Sequence, residues 1–412
     1  QYGSGPDGWG YNLDDFWEPW KAELQSVNPD VFIFAEQADW GITGANLLTA
    51  FDAAMTKPLE FAVRDGLNNA DAARIANAAV AAWNSLPPNR FFMGIVGDHD
   101  VDRLMSVLGN STNRAKAAAA ILLTHPFVPM IYYGDEIGMR GTKGNWGSDA
   151  NDIPFREPFK WNAVAGPPMT NYWVLNNQAY TNRVSQDNDG RSVQEQTGVS
   201  GSLLETYRAL IALRHANEAL THGGYYRIPT SSNRIYAFVR QSGTQSVLVV
   251  VSCSTQSTNV TLDLSAFTIP GGQTVPFNLW TGANAAPMTT ANRGAYPMTV
   301  AGHAFAILDL DLDAYTPPVG IVDGLSLPDD FPPAVAMQDS PTSLGDNLSE
   351  ANQLFGVIDA DHVRIGVSGN LATDGTGLAL LIDAVAGGQS VLDIDNLSPP
   401  PGGPNLLTGT VM

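Results

Sequence analysis

The sequence has little cysteine, few basic residues and no long apolar run, and each shortage excludes a class of protein. Cys253 is the single cysteine among 412 residues, so no disulfide can form within the chain. The 21 lysines and arginines are outnumbered by 41 acidic residues, and the formal net charge of -20 argues against nucleic acid as a partner. No apolar run is long enough to span a bilayer.

The first residues also lack the features of a secretory signal. The segment from Gln1 to Gly8 has no initiator Met, no charged stretch and no apolar stretch, and it reads like the interior of a loop. The last residues, up to Met412, end without a closing element. We therefore expect this sequence to be an internal segment of a longer protein.

The residues that are present are typical of folded domains. Apolar residues make up 44% and charged residues 15% of the chain, which excludes general disorder. A chain of 412 residues is too long for one ordinary domain, so two to three are expected.

Two apolar stretches end in carboxylates. Residues 31–36 (VFIFAE) end in Glu36, and a continuous apolar run of this kind predicts a strand buried on both faces. Residues 91–96 (FFMGIV) lead into GDHDVDR at residues 97–103. Alone, Glu36 would be interpreted as a solvated loop residue. Because enzymes with parallel barrels place their chemistry at the carboxyl ends of the strands, two such stretches together predict a site.

Strand and helix patterns alternate over residues 1–222, which predicts parallel strands with crossover helices. Two further predicted strands are residues 51–55 and 128–133. The predicted helices are residues 14–27, 71–86, 113–123 and 202–215. Four strands are about half of an eight-stranded barrel, so the predicted α/β fold is the second half of a (β/α)8 TIM barrel, with sheet edges and apolar faces left uncovered.

The hydrophobic period changes to two near Tyr225, which predicts an antiparallel β-sandwich over residues 223–313. Its predicted strands are residues 234–240, 245–252, 259–264 and 304–312. A linker follows at 314–322, and then a truncated β-rich accessory module at 323–412, with strand candidates at 354–358, 362–367 and 378–383. Carbohydrate binding and a spacer role are alternatives for this module.

Several segments, in this order, resemble the α-amylase family of glycoside hydrolases. FIFAE at 32–36 looks like the acid/base strand of the family, and VGDHDVDR at 96–103 looks like its His-Asp strand, with Asp98 where Asn is usual. PMIYYGDEIGM at 129–139 is similar to the eighth-strand segment, and IPFREPFKW at 153–161 to the Arg-Pro-Trp stretch that follows it. The resemblance covers roughly residues 1–313.

The resemblance implies a role for each site residue. Glu36 is the general acid/base, Asp100 the carboxylate that fixes sugar hydroxyls and stabilises the transition state, and His99 a hydrogen-bond partner of the sugar. Glycoside cleavage develops positive charge on the sugar ring and needs a proton on the leaving oxygen, which two such carboxyls would supply. For His99, a buried structural histidine is the weaker alternative.

Other residues complete the predicted binding set. Trp40 would stack on a sugar face, with ordinary packing as an equal alternative, and Trp146 and Trp161 are weaker candidates. Asp98 and Arg103 are the remaining predicted substrate contacts. For Arg103, an ion pair with a neighbouring carboxylate is an equally good interpretation.

The sequence departs from the family at the nucleophile. A retaining mechanism in this family needs an Asp in a stretch like G-F-R-x-D, and the sequence has none. Residues 7–12 (DGWGYN) and 10–14 (GYNLD) are partial matches, but Asn12 is a poor nucleophile and helix capping explains Asp14. We therefore expect the nucleophile to lie upstream of Gln1 and these residues alone to be inactive.

No metal is assigned. Asparagine- and glycine-rich loops carry carboxylates that would suit a structural calcium ion. These are Asp7, Asp14, Asp15, Asp149 and Asp152. No twelve-residue calcium loop is present, so solvated loop acids are the favoured interpretation.

The resemblance implies a secreted, extracellular or periplasmic enzyme that hydrolyses α-1,4-glucosidic bonds in starch-like glucans or maltooligosaccharides with retention. An α-glucosidase or transglycosylase of the same family is one alternative. A non-catalytic glucan-binding homologue, in which Asn12 occupies the nucleophile position, is another. The predicted partner is an α-glucan, and the sequence leaves the oligomeric state open.

Overall fold

A computed structural model describes residues 13–36, 41, 43–145, 147, 149–164, 166, 186–243, 245–313, 336–337, 350–358 and 363–370. The chain divides into two compact units, Gln1–Thr316 and Pro317–Met412, and each is considered by itself. Among the described residues, no helix has the length and apolar character needed to cross a membrane.

The first unit begins with a sheet of four parallel strands that pair in chain order. These are β1 (Phe34–Ala35), β2 (Ala53–Met55), β3 (Phe91–Gly94) and β4 (Val128–Pro129). The helices of this part are α1 (Glu18–Val27), α2 (Lys57–Asn69), α3 (Ala72–Asn84), α4 (Leu104–Val107) and α5 (Thr112–Thr124). The predicted alternation of parallel strands and helices is therefore confirmed over this stretch.

Local capping explains where two of the predicted helices begin. The Asp71 side chain accepts a hydrogen bond from the backbone N–H of Arg74 (3.2 Å) at the start of α3. The Ser111 hydroxyl does the same for Arg114 (3.3 Å) at the start of α5. The alanines of α5 are fully buried, so this helix packs closely against its neighbours.

Helix α2 was not predicted. Its buried face carries Lys57, Glu60 and Arg64, which are 1%, 0% and 3% exposed. These positions lie on one side of the helix because they are three and four residues apart. Charged residues in place of apolar ones break the periodic pattern by which the other helices are found.

The prediction that residues 31–36 form a strand buried on both faces is wrong. Only Phe34–Ala35 forms strand pairs, and the Phe32 and Phe34 side chains are 52% and 41% exposed. The register places Phe34 and Phe91 on the same face of the sheet, where Phe91 is 48% exposed. These exposed rings lie at the amino ends of β1 and β3, whereas Met55 and Met93 further along the same face are buried. The predicted strand at 128–133 is likewise shortened to β4.

In the described part of the chain between this sheet and an antiparallel one lie the helices α6 (Val193–Gln196), α7 (Leu203–Ala216) and α8 (Glu218–His222). The long strands that follow are β5 (Gly224–Arg227), β6 (Ile235–Ser242), β7 (Gln245–Ser252) and β8 (Thr258–Leu262). The later strands are β9 (Gln273–Thr274), β10 (Phe277–Asn278), β11 (Ala283–Asn284), β12 (Met288–Thr289), β13 (Tyr296–Val300) and β14 (Phe305–Leu310).

Six of these strands form one sheet in the order β11-β10-β14-β7-β6-β5, while β8 pairs with β13 and β9 with β12. Strand β7 is buried on both faces: Val249 packs with the helices, and Leu248 and Val250 pack into a second core of this β region. This double burial explains its continuous apolar run. The four predicted strands of this region are confirmed as β6, β7, β8 and β14.

The second unit contains β15 (Ala336–Met337), β16 (Glu350–Ile358) and β17 (Val363–Asn370), which form an antiparallel sheet. The strands predicted at 354–358 and 362–367 correspond to β16 and β17, except for His362, which lies outside the described residues. The strand predicted at 378–383 and the linker predicted at 314–322 also lie outside them.

Candidate active site

Glu36, His99 and Asp100 converge at the carboxyl ends of the parallel strands. Glu36 directly follows β1, and the other two follow β3. His99 Nε2 lies 3.3 Å from Glu36 Oε1 and 3.5 Å from Asp100 Oδ1. One oxygen of each carboxylate and the imidazole nitrogen all lie within 4.8 Å of one another. The fold therefore brings together three predicted site residues that are up to 64 positions apart (Asp100 minus Glu36).

These three side chains remain open to solvent. The side chains of Glu36, His99 and Asp100 are 50%, 43% and 36% exposed. A ligand can therefore reach both carboxylates and the imidazole at once. Two carboxylates at this separation can present a proton donor and a fixed negative charge to the same sugar residue.

Arg156 also belongs to this cluster, and sequence reasoning missed it as a site residue. Its Nη2 donates to Asp100 Oδ1 (2.8 Å) and its Nε to the backbone carbonyl of His99 (2.7 Å). It directly follows the short 3-10 helix Asp149–Phe155, which brings it from the loop after β4. The available signal was its place within the segment IPFREPFKW. Because a guanidinium already occupies Asp100, the cluster is a poor site for a metal cation.

Asp98 and Arg103 lie behind the exposed surface of the site, at 3% and 1% exposure. Asp98 bonds Lys57 through Oδ2, and its Oδ1 accepts from the backbone N–H of Asp100 (2.7 Å). Arg103 donates to the carbonyl of Tyr133, and its guanidinium lies 4.6 Å from the centre of the ring of that residue. This burial favours supporting roles over the substrate contacts that the sequence analysis predicted.

Buried carboxyls beneath the site differ in their electrostatics. Burial alone would raise the pKa of Asp98, but the bonds from Lys57 and from the Asp100 N–H outweigh it, so the pKa lies below its usual value. Burial raises the pKa of Asp135 to about 7, against the opposing charge of Arg103. Asp98 is therefore a carboxylate at neutral pH, whereas Asp135 titrates near neutrality.

The Asp135 carboxyl also lies close to the backbone of Gly97. A Cβ at Gly97 would lie 2.8 Å from Asp135 Oδ2, closer than such atoms approach. Any side chain at residue 97 would therefore have to displace the end of this buried carboxyl.

The remaining candidates are three tryptophans. Trp40 and Trp146 lie outside the described residues. Trp161 is 57% exposed and packs edge to face with Phe159 (4.7 Å between ring centres).

The loop acids give little support for calcium. The carboxylate of Asp152 is bound by Arg156 (3.1 Å) and Lys143 (3.2 Å), which does not fit a calcium ligand. Asp15 is exposed, and Asp7 and the side chains of Asp14 and Asp149 lie outside the described part of the chain.

A family model described as the alpha amylase catalytic domain matches residues 10–223, just over half of the 412 residues. The chain belongs to the α-amylase family. A second model, the maltogenic amylase C-terminal domain, matches residues 226–307. The resemblance read from the motifs is therefore confirmed, as is a (β/α)8 fold with a C-terminal β-sheet domain.

Curated relatives agree with this assignment. Alpha-amylase 3 of Dictyoglomus thermophilum is 25% identical over 238 residues, which are 57% of this chain and 45% of that protein. Neopullulanase 2 of Thermoactinomyces vulgaris is 26% identical over 260 residues, which are 60% of this chain and 37% of that protein. The chain thus spans less than half the length of these two α-amylase family relatives.

A solved structure supports the same fold. The crystal structure of an alpha-amylase from H. orenii matches with a TM-score of 0.57 at 24% identity and covers 71% of this chain and 56% of that chain. At this identity the likeness concerns the fold alone.

Proposed function

We propose that the protein is a retaining glycoside hydrolase that cleaves α-1,4-glucosidic bonds in starch-like glucans or maltooligosaccharides. The observation that carries the proposal is the convergence of Glu36, His99 and Asp100 within 4.8 Å of one another, in a chain of the α-amylase family. Glu36 protonates the leaving oxygen, Asp100 stabilises the positive charge that develops on the sugar ring, and His99 donates a hydrogen bond to a sugar hydroxyl.

We infer further that the nucleophile is supplied by polypeptide outside these 412 residues, because the sequence contains no stretch like G-F-R-x-D. Residues 1–222 would then form the second half of the barrel. The exposed apolar side chains on one face of the parallel sheet support this inference, since the rest of a barrel would bury them. They are Phe32, Phe34, Phe91 and Val128.

Three finer features belong to the same proposal. The enzyme is secreted, to the periplasm or the extracellular space, and its β-sheet domain at 223–313 is a sandwich. The names of two relatives, a cyclomaltodextrinase and a maltogenic alpha-amylase, support substrates of the linear and cyclic α-glucan class. The same three side chains would also permit transglycosylation, in which the glycosyl group is transferred to a second sugar and not to water.

The test is hydrolysis of soluble starch by the protein expressed from its complete reading frame. Replacing the proton donor in Glu36→Gln is expected to lower kcat by about 10²–10⁴-fold. Glu23→Gln, at an exposed carboxylate of α1, is the matched control and should retain full activity. The anomeric form of the product, followed by NMR, measures retention.

Two outcomes would contradict the proposal. Wild-type activity in Glu36→Gln would remove this residue from the mechanism. Starch binding without any hydrolysis by the wild-type protein would favour the non-catalytic glucan-binding homologue. The reading frame upstream gives an independent check. A G-F-R-x-D stretch is expected there if the protein is an enzyme, and not if it is the non-catalytic homologue.

A further inference from the structure

We propose that helix α2 fixes the His99–Asp100 turn in its reactive geometry through two buried polar contacts, and that Lys57 is the positioning residue for Asp100. The inference deepens the proposed function and rests on it, since Asp100 is the group being positioned. The ionic partners described for Lys57 are Asp98 and Glu60, and Asp98 is the one that bonds the backbone of Asp100, so the effect of Lys57 passes through Asp98.

The first contact runs from Lys57 to Asp98 and then to the backbone of Asp100. Lys57 is the first residue of α2 and is 1% exposed. Its ammonium group bonds Asp98 Oδ2, and Asp98 Oδ1 accepts from the N–H of Asp100 (2.7 Å). A hydrogen bond to an ionised acceptor is stronger than one to a neutral acceptor, so this contact restrains the backbone at the residue that carries the site carboxylate.

The second contact runs from Arg64 to the far end of the same turn. Arg64, two turns further along α2, donates to the backbone carbonyl of Asp102. Glu60, which lies between the two on the same face of α2, holds the Arg64 guanidinium by a hydrogen bond of 2.9 Å. Helix α2 therefore bonds the turn at two residues, Asp98 and Asp102, which lie on either side of Asp100.

The identity of residue 98 explains why a buried lysine is needed. The related motif usually has Asn at this position, and an Asn side-chain oxygen would also accept from the N–H of residue 100. Asp98 accepts the same bond but brings a negative charge that is almost wholly buried, at 3% exposure. Burying an unpaired carboxylate costs several kcal/mol, and Lys57 offsets this by pairing with it.

This matched pair predicts non-additive kinetics, measured on the protein from its complete reading frame. Lys57→Met leaves the buried Asp98 carboxylate without its lysine, and Asp98→Asn leaves the Lys57 cation with the more distant Glu60, 3.7 Å away, as its ionic partner. Each single variant is expected to lose about 10–100-fold in kcat while KM changes by less than about threefold. The double variant keeps the Oδ1 acceptor and has no unpaired charge, so it should recover at least about tenfold over either single variant.

A control variant distinguishes the loss of Asp100 positioning from the loss of stability that removal of any buried ion pair would cause. Lys21 also lies in a partly buried pair, 2.5 Å from Asp52, and none of its described bonds reaches residues 98–102. Lys21→Met should lower stability but leave kcat unchanged. Lys57→Arg, which keeps the cation and is expected to fold, should retain kcat within about threefold and gives a test if Lys57→Met does not fold.

The second measurement is independent of activity. The backbone N–H of Asp100 should exchange slowly with solvent in wild type and in the double variant, and faster in each single variant that folds. Wild-type kcat and unchanged exchange in the single variants would overturn the inference. A wild type that hydrolyses no glucan would instead overturn the proposed function, while the exchange data would still decide whether α2 restrains the turn.

Discussion

The first unit has two regions with buried cationic side chains, and the groups that accept hydrogen bonds from these cations differ between them. Beneath the site, Lys57 pairs with the carboxylate of Asp98. At the junction between the C-terminal end of α5 and the antiparallel sheet, Arg214 and Arg240 donate only to backbone carbonyls in the bonds described for them. The carbonyls at a helix C-terminus carry partial negative charge, so they can replace a carboxylate as partner.

The two regions also differ in whether the pKa of a buried group lies near neutral pH. At the junction, burial and then the two nearby arginines lower the pKa of His125 to about 3, so its ring stays neutral and bonds the Tyr236 hydroxyl (2.8 Å). Beneath the site, Asp135 has a pKa of about 7. Near neutral pH the imidazole of His125 therefore stays in one protonation state, while the carboxyl of Asp135 can exchange its proton.

The largest expected effect lies at the site itself. Under the proposed function, Asp100→Asn removes the charge that would stabilise the transition state, so kcat on soluble starch should fall by about 10³-fold, equivalent to roughly 4 kcal/mol. The melting temperature should change by only a few degrees, because the side chain is partly exposed and its described ionic partners are Arg156 and His99. Equal activity in Asp100→Asn and wild type would show that the charge of Asp100 does not contribute to the reaction.

The junction should show the reverse behaviour, with stability lost and chemistry intact. Arg240→Met removes the donors to the carbonyls of Thr124, Leu220, Gly223 and Gly224 and should lower the free energy of unfolding by about 3 kcal/mol. Urea unfolding measures this loss. Arg74→Ala, at the exposed pair with Asp65, is the control and should cost less than about 1 kcal/mol. A loss in Arg240→Met no larger than this would contradict the role of the carbonyl contacts.

The effect that is smallest per pH unit is the pH dependence of stability, in which the two regions have opposite signs. Asp135 has a pKa of about 7 when folded and 3.8 as the reference, so the folded state holds the extra proton between these values and its stability falls as pH rises from about 4 to 7. His125 has a folded pKa of about 3 against 6.5, so its contribution is lost as pH falls from about 6.5 to 3.

Urea unfolding at a series of pH values measures both contributions. Each group changes the free energy of unfolding by at most about 1.4 kcal/mol per pH unit within its window. Asp135→Asn should flatten the decline toward neutral pH, and His125→Phe should flatten the decline toward acid. If either substitution leaves both slopes unchanged, the assigned group does not cause that slope.

The predictions from sequence succeeded where the signal is local. Alanine-rich composition marks α3 and α5, and alternating or β-rich stretches mark β6 and β8, because each pattern lies within one element. The charged face of α2 has no such pattern. The buried charges of α2 are explained only by their contacts with the turn at 98–102, which lies some forty positions further along the chain.

By itself the sequence determined the family, and it marked Glu36 and Asp100 as candidate site residues because each comes soon after an apolar stretch, at 31–35 and 91–96. Only the tertiary structure decided which charges support them. Asp98 turns inward to Lys57, and Arg156 reaches Asp100 from 56 residues away. The physical reason is that the partner of a buried charge is chosen by distance in space and by exclusion of water, and neither is recorded in the order of residues along the chain.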